Sequence, residues 1–537
     1  MDEPAEPSSQ DGDPSTTTPP SPSDLPEVIT IAPRGDVLLE LTFETSKSTL
    51  KATRKALPRP RPGQRDPPPP QPLLRARVHL AYRVDLATLK RHSKYFTNLL
   101  GDTRFREARA VESHLADLSL RGEDPGDLGP GRLPRVRITD DDEATRSAGR
   151  EDVFRDMLRV LHGGGVAVAT ARPVTLLYVA TLAVMADRFA CAAAVSRYLN
   201  TGLKFKWPAT PLPRPSGEGD GLVGLSPAAE EVLRQKILVS WLLDQPVRFQ
   251  AATRELVLFG SHRWSADGGD EDEDEGDDVD GSRTPADDAT ASRQEALWWY
   301  LPDELEEELH YRRALVLRTL ASITSHFVRL YSSRARQCHL GYDSSAACDS
   351  FQLGEMVRFL AGRGLLFLVD FSPSSPRAVR DFAAVDVGGI TAALKKMPAY
   401  QIDKHHTNCG LRTRVLPILE YVQAMLGSNA VPLSLQGWKR DRVGTSWRTA
   451  PSAAEDGGSG GVRRRREFDT GKASRIKVFS FTRSLASDQR LKYEGAMAAD
   501  SMAKQLFLAE DWDWTPEDDS GSGNSLGREF ATTKWLK

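Results

Sequence analysis

Cysteine is scarce: four are spread over 537 residues, too few for the disulfide framework of a small secreted scaffold. No apolar run is long enough to span a bilayer either. The longest uncharged one, residues 173–186, is closed by Arg172 and Asp187 and falls short of the roughly 20 residues a membrane helix needs, so it is expected to be a buried helix and no membrane association is expected. Net charge is nearly absent, −3 from 71 basic and 74 acidic side chains, which removes any global bias toward nucleic acid or membrane surfaces. The opening residues, Met-Asp-Glu-Pro-Ala-Glu-Pro, are acidic where a secretory signal would be basic and then apolar. These absences lead to the expectation of an intracellular protein, cytoplasmic or nuclear, with reduced thiols.

A catalytic constellation is also missing. His162-Gly163-Gly164-Gly165 has the composition of an esterase oxyanion loop, and Gly523-Asn524-Ser525-Leu526-Gly527 has that of a nucleophile elbow. The elbow, however, follows Thr-Pro-Glu-Asp-Asp-Ser-Gly-Ser, where a buried strand is required, and the residues after Gly527 hold one acid, Glu529, and no histidine. No triad in the order serine, acid, histidine can be assembled, and no phosphate loop or paired acid and base stands in a recognisable context. The expectation is a chain that is not an enzyme.

What is present is organised in blocks. Mean hydropathy is −0.42, and 35 prolines and 41 glycines leave part of the length expected to stay unfolded. Residues 1–27, rich in Pro, Ser, Thr and Asp, read as a tail. Gly35–Phe43 and Arg77–Tyr82 read as strands. The basic insert between them, about 44–73, contains Pro67 to Pro70, whose missing N–H donors exclude a sheet, so the pair reads as a hairpin with an overgrown loop. Asp85 caps a helix carrying Leu86, Leu89, Phe96, Leu99 and Leu100. After a Gly/Pro/Asp-rich insert at about 109–133, a strand is expected at Arg135–Ile138, a helix around Phe154, Met157, Leu158 and Leu161, and a helical run from Thr175 to Leu199.

Five short segments in this order carry a resemblance: Gly35-Asp36-Val37; Ser93-Lys94-Tyr95-Phe96 with Leu99-Leu100; Phe105-Arg106-Glu107-Ala108; Met157 to Gly164; and Leu182 to Cys191. Together they resemble a BTB/POZ domain over residues 28–200, inserts excepted. His162 to Gly165 then most resembles the Tyr-Thr-Gly-like turn that ends the segment after the family's two-helix element, with extra glycine. The resemblance implies a small mixed α/β domain that self-associates, as in a homodimer, or docks a protein partner. It also implies that a hydrophobic-x-Glu motif can contact a cullin scaffold, which Phe105 and Glu107 match. Phe105 would fill an apolar pocket and Glu107 would supply a charged rim contact. The alternative is that Phe105 is core and Glu107 merely solvated.

Residues 201–225 read as a linker and 226–430 as a helical domain. Ser226-Pro227 is a helix start, with Val232, Ile237, Leu238, Trp241 and Leu242 on an apolar face, and a second stripe runs through Leu305, Leu309, Val316, Leu320, Ile323, Phe327 and Leu330. Between them lies an acidic insert, about 262–292. Its Asp267 to Asp280 run holds ten acidic side chains without the spacing of a calcium loop, and reads as a solvated loop. Cys338, Cys348, His406 and Cys409 follow. His406-x2-Cys409 is a compact ligand pair, His405 is a competing ligand, and a Cys3His structural zinc site is one reading; ordinary buried thiols are the other, since no Cys-x2-Cys knuckle supports the first. This stretch resembles the helical region of fungal BTB-domain proteins. Residues 431–537 lack periodicity and read as mostly irregular, with Trp512, Trp514 and Trp535 as a candidate docking peptide.

The fold class expected is therefore α+β: a BTB/POZ-like domain with inserts, a mostly α-helical C-terminal domain, and disordered tails. The function expected is a non-enzymatic protein-interaction module, a BTB-type adaptor or self-associating scaffold, with substrate adaptor of a cullin-type ubiquitin ligase as the specific form. The alternative is a nuclear, transcription-linked regulator that dimerises through the BTB-like domain. Only Arg463 to Arg466 speak for nucleic acid, so nucleic acid is not the expected partner.

Overall fold

The computed structural model describes residues 26–56, 74–165, 174–203, 205–211, 224–266, 295–340, 345–369, 385–407, 409–448, 478–486 and 496–517. The tail up to residue 25, the proline run, the acidic run, Arg463 to Arg466, the Gly523–Gly527 pattern and Trp535 lie outside them. The fold is mixed α+β. Two compact units are present, residues 1–174 with 184–204, and residues 175–183 with 205–537. Among the described residues, no helix is long and apolar enough to cross a membrane.

The first unit is built on a four-stranded sheet of β1 (Glu27–Thr30), β2 (Val37–Glu44), β3 (Arg77–Val84) and β4 (Arg135–Asp140), in the order β1-β3-β2-β4. β2 and β3 form the expected antiparallel pair, from Val37 opposite Val84 to Glu44 opposite Arg77, and β4 lies parallel to β2. Val37, Leu38, Leu39, Leu41 and Phe43 of β2 are all buried, the near-continuous apolar run of a strand covered on both faces. The insert after β2 begins with a helix, α1 (Lys47–Ala56).

Gly35 opens this sheet because only glycine fits there: a Cβ at that position would stand 2.7 Å from the Val84 carbonyl oxygen and 2.9 Å from its nitrogen. Gly35→Ala is therefore expected to cost about 1–3 kcal/mol, the usual range for overpacking, read as a lower denaturation midpoint of the first unit. A wild-type midpoint would show that the strand entry yields.

Asp85 caps α2 (Leu86–His92) by accepting from Thr88 N, and Ser93 caps α3 (Lys94–Gly101) by accepting from Phe96 N. The Ser93 hydroxyl also donates to Phe189 O at 2.6 Å. Phe96 stacks on Phe189 with centroids 5.7 Å apart, and Phe154 meets Phe189 edge-on at 5.1 Å. Residues that lie far apart in sequence thus share one core.

The first half of the insert expected at 109–133 belongs to a helix, α4 (Arg106–Leu120), and two 3-10 turns follow. Ala108, Val111 and Leu118 are buried and, with Leu115, recur at spacings of three and four; the polar residues between them hid the stripe. α5 (Arg150–Leu161) ends at His162. There Gly163, at φ +77°, donates to Val160 O at 3.2 Å and Gly164 donates to Arg159 O at 2.7 Å, the paired bonds of a Schellman cap. The His-Gly-Gly run is a helix terminator whose first two glycine N–H groups are already spent. The helix expected over 175–199 is two, α6 (Leu176–Arg188) and α7 (Ala192–Thr201), broken where Ala190 adopts φ +47°.

A buried ion cluster closes one end of the sheet. Arg150 donates from Nε to Asp140 Oδ2 at 2.8 Å, from Nη1 to Ser147 O at 2.8 Å and from Nη2 to Glu44 O at 2.8 Å. Arg188 reaches the other Asp140 oxygen at 2.7 Å. The ends of β2 and β4 are thereby tied to the start of α5 and the end of α6.

The second unit packs around α10 (Leu305–Ser332), together with α8 (Pro227–Leu242), α9 (Pro246–Phe259), α11 (Ser345–Gly362), α12 (Val387–Lys395), α13 (Arg412–Leu426) and α14 (Leu435–Arg440). Ser226 accepts from Ala229 N ahead of Pro227, as a capped start requires. Leu305, Leu309, Val316, Leu320, Ile323 and Phe327 are buried, and so are Arg312 and Arg313. The Arg312 guanidinium pairs with Glu308 at 2.6 Å and donates to the carbonyls of Ala430, Val431, Pro432 and Thr445. The 201–225 linker is not wholly outside this unit, since Thr210 is buried and accepts from Lys236 Nζ at 2.7 Å.

The region from 431 onward is not irregular throughout. β5 (Val478–Thr482), α15 (Ala496–Phe507) and β6 (Asp511–Glu517) follow α14, with β5 and β6 parallel. Trp512 and Trp514 are buried, and Trp514 Nε1 donates to Ser322 Oγ at 2.9 Å. They are core residues, not a docking peptide. The Asp-Trp-Asp-Trp alternation was the period-two signal of a strand with one buried face.

Candidate metal centre

Cys338 lies in the loop after α10, Cys348 on α11, and His406 and Cys409 in the loop before α13. All four side chains are buried, and their potential ligand atoms lie within 4.8 Å of one another. Cys338 Sγ stands 3.5 Å from His406 Nδ1 and 3.7 Å from Cys409 Sγ. The sulfurs are far beyond the ~2.05 Å of a disulfide, and all four cysteines of the chain are free thiols. The Cys3His cluster can hold a metal ion.

Local structure explains the convergence. In the 403–409 loop, His406 N donates to Asp403 O at 3.2 Å and Cys409 N donates to His406 O at 3.3 Å. These two i to i+3 backbone bonds follow one another, so Asp403, His406 and Cys409 are spaced by three within one short loop. Asp403 Oδ1 further accepts from His405 N at 2.8 Å and His406 N at 3.3 Å. On α11, Gln352 sits one turn after Cys348; its side chain donates to Tyr400 O at 2.9 Å and accepts from Leu411 N at 3.1 Å, which holds the loop to the helix. The Cys338 loop is fixed from two sides: Asp349 Oδ2 accepts from Gln337 N at 2.9 Å, and Arg414 of α13 donates to Gln337 Oε1 and O at 2.9 and 3.0 Å.

The thiols are not alike. Burial, with the neighbouring Cys338 and Cys409 sulfurs, pushes the Cys348 thiol up to about 12. Burial also acts upward on Cys338, but the hydrogen bonds it accepts from the Leu340 backbone and from neighbouring thiols outweigh this and hold it below the ordinary value. Cys191, by contrast, packs in the first unit, where burial pushes its thiol up to about 12; it is an ordinary buried cysteine. His405 is exposed while His406 is buried, which decides between the two candidate histidines in favour of His406. Gln352, Asp349, Asp403 and Arg414 were not foreseen. The only signals were Gln352 four residues after a ligand and Asp403 three before one.

The candidate partner residues lie elsewhere, at the start of α4. Phe105 occupies the N-cap position, is 45% exposed as a residue, and is not core. Glu107 is half-buried in the first turn, where a carboxylate is favoured by the helix dipole. No protein-family model, no curated protein and no solved structure matches this chain.

Proposed function

We propose that this chain is a non-enzymatic protein-interaction adaptor of BTB type, docking a partner such as a cullin scaffold through its first unit, with a second, helical unit held together by a structural zinc ion. The observation that carries the docking reading is Phe105, a large aromatic left exposed at a helix N-terminus beside Glu107. Support for the family comes from the resembling segments: Gly35 stands where a Cβ would strike backbone, and Ser93, Phe96 and Phe189 interlock. The nuclear alternative rests on Arg463 to Arg466, outside the described residues, and has no observation in its favour.

Zinc is supported by donor chemistry and by distance. Bonds of about 2.3 Å to sulfur and about 2.0–2.1 Å to nitrogen in a tetrahedron place sulfurs about 3.8 Å apart and sulfur about 3.6 Å from nitrogen; Cys338 stands 3.7 Å from the Cys409 sulfur and 3.5 Å from the His406 nitrogen, within a set of four that spans up to 4.8 Å. Four protein ligands leave no open position, so the ion would be structural and not catalytic.

Docking is tested by pull-down of the full chain with a purified cullin scaffold. Phe105→Ala is expected to cost about 2 kcal/mol or more, roughly 30-fold in affinity, and Glu107→Ala less. Unchanged binding by a folded Phe105→Ala protein would assign the ring another role, and no binding by the wild-type chain would remove the cullin.

A further inference from the structure

We infer that Asp403 is the positioning residue of the metal centre: its carboxylate holds the His406 ring so that Nδ1 faces the thiols and the opposite nitrogen carries the proton. The inference rests on the zinc reading above and adds the residue that orients its single nitrogen ligand.

The two ring nitrogens face different groups, Nδ1 a thiol and Nε2 a carboxylate that stands just beyond hydrogen-bond reach. Nδ1 is 3.5 Å from Cys338 Sγ, and Nε2 is 3.7 Å from Asp403 Oδ2. A metal-bound imidazole keeps one N–H, and a carboxylate facing it fixes both tautomer and ring orientation while raising ligand basicity. Asp403 is itself held for this task. Its other oxygen accepts the His405 and His406 backbone N–H groups, so one carboxylate shapes the turn with Oδ1 and faces the ring with Oδ2. Since Asp403, His406 and Cys409 follow at intervals of three along successive turns, the orienting group, the imidazole and a thiol are all set by one short segment. His405, between them, is exposed and contributes only its backbone N–H.

The test uses the full chain and three variants. Asp403→Asn retains an oxygen able to accept the backbone N–H bonds but loses the negative charge; Asp403→Ala loses both; Asp403→Glu restores the charge. Zinc affinity is measured by competition with a chromogenic chelator, and the ligand field by cobalt(II) substitution. Removing an outer partner of a ligating histidine typically weakens binding by about 10–100-fold. That loss is expected for Asp403→Asn with the chain still folded, along with shifted cobalt d–d bands, an unchanged thiolate charge-transfer band and partial recovery in Asp403→Glu. Wild-type affinity in Asp403→Asn with loss only in Asp403→Ala would make Asp403 a turn former and overturn the inference. Failure of the wild-type chain itself to bind zinc or cobalt would instead overturn the zinc reading beneath it.

Discussion

Purified without chelators, the full chain should carry about one equivalent of zinc, and stripping it should unfold the segment that links α10, α11 and α13. The expected effect is large because the ligands come from three separate places, a loop, a helix and a second loop, whose apposition has little apolar packing of its own. Beside the three sulfurs, Leu340 is the partly buried apolar neighbour of this cluster, which is separate from the main core. Binding energy is here folding energy, about 10–16 kcal/mol for structural zinc in finger peptides. That apparent figure already includes the release of protons from the thiols, which is hardest for Cys348, whose thiol burial pushes up to about 12. All ten tryptophans lie at or beyond Trp207, so their fluorescence reports on the second unit alone and should shift on chelation. His406→Ala should lose the metal and His405→Ala should keep it. Protein free of zinc as isolated, or metal released by His405→Ala, would return these residues to plain buried thiols and an imidazole.

Asp140→Ala should destabilise the first unit by about 3–5 kcal/mol, the usual cost of leaving a buried charge without its partner. Arg150 is 1% exposed and Asp140 3% by side chain, so water cannot replace the lost carboxylate. Arg150 would keep its carbonyl acceptors at Ser147 and Glu44, but these supply no compensating charge. For a unit of this size the loss corresponds to roughly 6–20 °C in melting temperature. With no tryptophan in the unit, the measurement is hydrogen exchange of β2 and β4. Replacing Asp140 and Arg150 together by leucine and methionine should recover much of the loss, since well-packed apolar pairs can stand in for buried ion pairs. A drop under about 1 kcal/mol in Asp140→Ala would mean that the arginines find other partners.

Much of this architecture was legible in the sequence because apolar spacing is a local signal. β2, β3 and the α10 stripe declare themselves by periods of two and of three to four, and Ser226-Pro227 marks its own helix start. α4 was hidden because its stripe of Ala108, Val111, Leu115 and Leu118 is thin and lies among Glu, Ser, His and Asp. β6 was hidden because acidic residues alternate with its tryptophans, so composition suggested solvent where spacing suggested a strand. At the metal centre the ligands were readable by residue type, and His406 rather than His405 by its spacing to Cys409. Asp403 and Gln352 were not, because a spacing of three or four from a ligand does not by itself show which polar side chain will bond the loop that carries it. The buried arginines were invisible as well. Arg312 and Arg313 interrupt an apolar stripe as if facing water, yet the carbonyls that receive them come from distant segments.

The parallel pairing of β5 with β6 sets an order for synthesis. A parallel pair needs a crossover between its strands, here containing α15, so β5 cannot find its partner when it leaves the ribosome. Phe479 and Phe481 must wait, with Tyr421 stacked on one and edge-on to the other, until Trp512 and Trp514 arrive more than thirty residues later. During that interval an aromatic surface of the nascent helical unit stays open. A chaperone that holds apolar strands would have its window there, and a message cut short before codon 514 would yield a chain that never closes it.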